Sequence, residues 1–113
     1  MRPLDERGRG QAAELAEKLA AYRIDAILTS PYLRCVESVE PLAAARGLPV
    51  EEREELGVEL QSTAGIALVR SLAGRDVLVC GHGGLEEALV DPPKWKKGRV
   101  FVVDDELRID AVL

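Results

Sequence analysis

Apolar residues along the chain fall into two alternating patterns. Over residues 5–23, Ala12, Leu15, Ala16, Leu19 and Ala20 recur at helical spacing, which predicts one amphipathic helix. Asp5 is placed to cap it, and Glu14 and Lys18 form an i,i+4 pair on its exposed side. Residues 25–29 are a short apolar run and predict a buried strand. Ser30 and Pro31 then open a second helix, with Ser30 as its cap and Pro31 in its first turn, where a missing N–H costs nothing. That helix extends to Arg46 and stops at Gly47, and Pro41 is expected to kink or split it.

The alternation continues. Residues 50–57 are acidic and read as a strand end plus loop, and residues 59–72 fit a third helix followed by Gly74. Residues 76–80 give the clearest buried strand of the chain, and Gly81-His82-Gly83-Gly84 follows it directly. A short helix over 85–90 and a Pro-Pro turn come next. Residues 99–103 and 107–113 read as two strands of a hairpin joined at Asp104-Asp105-Glu106. No repeat, low-complexity tract or linker interrupts the order. Strands alternating with helices predict an α/β fold, a three-layer α/β/α sandwich around a mostly parallel sheet.

Length supports a single domain over 1–113, since 113 residues leave no room for a second of ordinary size. With 15 basic against 20 acidic residues the net charge is -5, which argues against nucleic acid or an anionic membrane as partner. Cys35 and Cys80 lie far apart in the sequence and belong to no C-x-x-C pair, so reduced thiols and a cytoplasmic location are expected. Cys80 and His82 are too few for a metal site at zinc spacing, and no cofactor is called for. No apolar run reaches the length of a membrane span.

In a parallel α/β sheet ligands sit at the carboxyl ends of strands. Two segments fall there: Thr29-Ser30-Pro31-Tyr32-Leu33-Arg34 and Gly81-His82-Gly83-Gly84. Arg34 lies in the opening of a helix whose N-terminus offers N–H groups and partial positive charge, and its guanidinium adds a planar fork suited to phosphate oxygens. His82, the one histidine of the chain, sits between glycines and is able to donate to an oxyanion or exchange a proton.

These residues resemble a family. Residues 2–12 are similar to the start of the first helix of histidine phosphatases (phosphoglycerate mutase-like). Thr29-Ser30-Pro31-Tyr32-Leu33-Arg34-Cys35 resembles their S-S-P-x-x-R-A/C segment, and Val77-Leu78-Val79-Cys80-Gly81-His82 resembles the strand that presents their second catalytic histidine. Lys97-Gly98 before a strand fits the last part of the sheet. The likeness is nearest to SixA-type phosphohistidine phosphatases and to the phosphatase domains attached to MutT-like Nudix proteins.

The resemblance implies a phosphoric monoester hydrolase fold with His82 as a catalytic residue and Ser30, Arg34 and His82 binding phosphate. It places the general acid among Glu54, Glu55 and Glu59, of which Glu55 and Glu59 are the candidates carried forward. The expected partner is a phosphorylated small molecule or a phosphoprotein. The family's Arg-His-Gly or Arg-His-Ala strand, which carries the nucleophile, has no counterpart in Met1-Arg2-Pro3-Leu4. The expectation is therefore a truncated domain lacking the usual first strand, inactive or impaired as written. The alternative is a pseudoenzyme or interaction module that binds a phosphate ligand without cleaving it. A missing interior strand would also expose a sheet edge through which a homodimer could form.

Overall fold

A computed structural model describes residues 6–57, 59–82, 85–89 and 101–112. Helix α1 spans Glu6–Lys18, strand β1 Ala26–Thr29, helix α2 Leu33–Arg46 and strand β2 Val50–Glu52. Helix α3 spans Ile66–Ser71 and strand β3 Val77–Cys80, and β4 (Phe101–Val103) and β5 (Ile109–Val112) close the order.

Strands β2, β1 and β3 form a parallel sheet in that order, with Ile27 opposite both Val50 and Leu78. Successive side chains of β1 point to opposite faces, and each face has its own core. Ile27 packs with Leu19, Val39, Leu42 and Ala43 under α1 and α2. Leu28 packs with Leu56, Leu72 and Leu85 on the other side, beside Leu68 and Val69 of α3. Helices thus cover both faces of a parallel sheet, the expected layering.

Topology then locates a switch point. After β1 the chain enters α2 on one face; after β3 it turns to Leu85, which packs on the other. Neighbouring strands whose continuations part to opposite faces leave a crevice at their carboxyl ends.

Several expected boundaries are corrected. The first helix ends at Lys18, not residue 23, because Leu19 turns into the core and Tyr22 N–H closes a tighter turn on the Leu19 carbonyl. That same carbonyl also accepts from the Arg46 guanidinium, a donor from the end of α2. The second helix begins at Leu33 with Tyr32 as its extended cap residue, so Ser30 is not the cap and Pro31 precedes the first turn. Pro41 lies inside α2 and does not split it. Gly47 ends the helix as expected: its φ of 65 is left-handed, and its N–H reaches back to Ala43 and Ala44.

The third helix starts late. Residues Gln61–Gly65 form a wide turn in which Gly65 N–H bonds the Leu60 carbonyl five residues back, and regular helix begins only at Ile66. Strand β3 is half-buried along its whole length, so it is less enclosed than its apolar run suggests. Within the acidic segment, Glu54–Leu56 make a short helical turn that drives Leu56 fully into the second core.

The C-terminal hairpin forms as expected, β4 against β5 antiparallel. Leu107 belongs to its turn, not its strand, with φ 64. Asp104 builds that turn, its Oδ1 accepting from the N–H groups of Glu106 and Arg108. Asp5, Gly83, Gly84, the Pro-Pro turn and Lys97-Gly98 lie outside the described residues. Among the described residues, no helix is long and apolar enough to cross a membrane.

Candidate active site

The site lies where β1 and β3 end side by side. Thr29 and Cys80 are register partners, and Ser30 N–H continues the ladder by bonding the Cys80 carbonyl at 2.9 Å. That pairing carries Ser30 and His82 out of the sheet edge together. Ser30 is completely buried, and its Oγ lies 3.0 Å from His82 Nε2. The same hydroxyl oxygen accepts a long bond of 3.4 Å from Tyr32 N–H. Ser30 therefore serves a contact 52 residues away in sequence and one turn of local backbone, which is why it is not spent on capping α2.

The His82 imidazole has a second neighbour in Tyr32, whose ring meets it edge-on with centroids 4.8 Å apart. Cys35 Sγ is the third, at 4.0 Å from Nε2 and 4.0 Å from the Gly81 carbonyl. Burial pushes His82 below the ordinary imidazole range and so favours the neutral ring.

Arg34 is the second residue of α2, between Tyr32 and Cys35, which both touch His82. Its side chain is exposed, and its charge is felt at the Cys35 sulfur as a minor influence. The first turn of a 14-residue helix, with Arg34 as its second residue, thus lies beside the Ser30–His82 pair. This combination suits a tetrahedral oxyanion.

The two candidate carboxylates are placed differently. Glu55 accepts from Arg53 through both oxygens, at 2.6 Å from Nη2 and 3.3 Å from Nε. Those hydrogen bonds hold its carboxyl below the usual carboxylate range, which makes it a poorer proton donor. Glu59 lies exposed in the chain after Gly57. Arg53 itself follows β2 at the same sheet edge, its N–H bonded to the Thr29 carbonyl. Among the described residues, no group of three or more His, Cys, Asp or Glu is arranged to hold a metal.

Tyr32, Cys35 and Cys80 were not singled out as site residues from the sequence. A signal existed for each: Tyr32 and Cys35 flank Arg34 within three residues, and Cys80 is two before His82. What the sequence lacks is the β1–β3 register that brings the two segments together.

The sequence profile of the histidine phosphatase superfamily (branch 1) matches residues 2–59, about half the chain. Solved structures give the same picture for the fold. The protein described as phosphohistidine phosphatase SixA from Agrobacterium tumefaciens superposes with a TM-score of 0.82 at 24% identity, over 99% of this chain and 82% of that one. A protein histidine phosphatase SixA complexed with tungstate gives 0.77 at 21% identity, over 100% and 84%. Bacillus stearothermophilus YhfR gives 0.69 at 20% identity, over 92% and 80%.

Proposed function

This chain belongs to the histidine phosphatase superfamily, and from that premise we propose that Ser30, Arg34 and His82 bind the phosphoryl group of a phosphomonoester or a phosphohistidine. The observation that carries the reading is the 3.0 Å contact between Ser30 Oγ and His82 Nε2 at the opening of α2. Each group has a role that its chemistry supports. Arg34 supplies a permanent positive charge and paired N–H donors. The helix opening adds backbone N–H donors that need no reorganisation on binding. His82, neutral when the site is empty, takes up a proton as the anion arrives and donates to it. Ser30 fixes the ring while it does so.

One of the 113 residues is histidine. In this reading His82 supports the phosphoryl group and does not carry it covalently, so the 113-residue chain holds its ligand without forming phosphohistidine. A phosphorylated small molecule and a phosphoprotein side chain present the same group to these residues.

Tungstate, the oxyanion bound in one of the similar structures, is the natural probe because it mimics a tetrahedral phosphoryl group. Calorimetric titration with tungstate and with inorganic phosphate should show one site per chain. Arg34→Ala and His82→Ala should each weaken it about tenfold or more, as loss of a charge-assisted hydrogen bond of roughly 1.5–3 kcal/mol requires. Unchanged binding in both variants would sink the proposal. Incubation with a phosphomonoester, followed by analysis for acid-labile phosphate on His82, tests the non-covalent role.

A further inference from the structure

The protein has two cysteines, and the fold brings them to one place. Alternation along β3 puts Leu78 and Cys80 on the face covered by α2, and both pack against the core that holds Val39 and Leu42. Cys35 lies one helical turn before Val39 on that helix, and its sulfur reaches the Gly81 carbonyl, the residue next to Cys80, at 4.0 Å. Cys35 and Cys80 thus face the same space between the opening of α2 and the end of β3, with His82 beside the Cys35 sulfur. We propose that Cys35 and Cys80 are a redox-active pair that closes reversibly into an intramolecular disulfide when the protein meets a peroxide.

The two sulfurs have unequal parts. Cys35 is the acidic member: the neighbouring Cys80 thiol lowers it against the opposing effect of burial, with smaller help from Ser30 and the Arg34 charge, to about 7. Cys80 is pushed the other way, by the neighbouring Cys35 and by its apolar surroundings. Cys35 is therefore the member that ionises first, near neutral pH, and Cys80 the thiol that resolves it.

In the first step the Cys35 thiolate attacks one oxygen of hydrogen peroxide. The O–O bond breaks, sulfur loses two electrons to become a sulfenic acid, and hydroxide leaves. In the second step the Cys80 sulfur attacks the Cys35 sulfur, its proton going to the hydroxide released before. The S–O bond breaks and the departing hydroxide takes a proton from solvent. Two thiols and one peroxide give one disulfide and two waters, and a dithiol reverses the change.

The experiment treats reduced full-length protein with one equivalent of hydrogen peroxide, alkylates the remaining thiols and reads intact mass. The expected product has lost two hydrogens, takes up no alkylating agent, runs as a monomer without reductant and regains both thiols with dithiothreitol. Cys80→Ser should stop the reaction at a Cys35 sulfenic acid that dimedone traps, and Cys35→Ser should leave Cys80 fully alkylatable. Two alkylatable thiols after peroxide, or a disulfide only between chains, would overturn the pair. Dimedone labelling of Cys80 in Cys35→Ser at the rate seen for Cys35 in Cys80→Ser would overturn the assigned order.

Discussion

Strands β1 and β3 lie side by side, have similar apolar sequences and end in the two halves of the site, yet they are enclosed very differently. Ile27, Leu28 and Thr29 are 1%, 4% and 0% exposed, whereas Val77, Leu78, Val79 and Cys80 are all half-buried. The cause is position: β1 is flanked by β2 and β3 and covered on both faces, while β3 is paired with β1 alone among the described strands. Ser30 consequently continues a fully enclosed strand, and His82 follows a half-enclosed one. A site built this way has one enclosed wall and one more open wall.

The largest effect expected from this contrast is on stability. Ile27 and Leu78 are register partners, so truncating each to alanine compares the two strands at one level. Ile27→Ala should cost about 2–5 kcal/mol as a fully buried truncation, and Leu78→Ala clearly less, because less apolar surface is lost from the interior. Urea midpoints measure both. Equal shifts would erase the distinction between the strands.

A smaller effect concerns the bond that joins the walls. Ser30→Ala removes a buried hydroxyl that serves both His82 and Tyr32 N–H, and should destabilise the fold by roughly 1 kcal/mol. A double-mutant cycle with His82→Ala isolates the Ser30–His82 contact, and a coupling of about 0.5–1.5 kcal/mol is expected. Additive losses would mean that the two walls do not communicate through this contact.

The smallest expected effect is on the titration of His82, followed by the NMR signals of the one imidazole. Burial favours the neutral ring, so its midpoint should fall below the ordinary value of about 6.5. The unfolded chain then binds the proton first as pH drops. Stability is therefore unaffected above that value and declines as pH falls from it through the lowered folded midpoint. Tungstate should raise the midpoint again, since an anion beside the ring favours imidazolium.

The contrast also explains what could be read from the sequence. Strands β1 and β3, the glycine that ends α2 and the hairpin turn at Asp104 were legible because each rests on local chemistry: an apolar run, a left-handed residue, a side chain bonding its own backbone. The start of α2 was not legible. Ser30-Pro31 has the composition of a cap and first turn, but the Ser30 hydroxyl is claimed by His82 from 52 residues away, and the backbone enters the helix at Tyr32 instead. The start of α3 was hidden for another reason. Residues 61–65 carry helix-compatible side chains, and only the Gly65-to-Leu60 bond reveals the wider turn. In the site, Ser30 and His82 were legible as neighbours of strand ends, whereas the Tyr32 edge contact and the placing of Cys35 against Gly81 and His82 depend on register between distant segments.

The parting of the chain to opposite sides after β1 and β3 has one more consequence. The wall carrying Ser30 and Arg34 adjoins the packing under α1 and α2, and Leu85, beyond His82, belongs to the packing around Leu56 and Leu72. Loops lengthened on one side would reshape the mouth without repacking the other. Either side can thus be altered while the Ser30–His82 seam stays as it is.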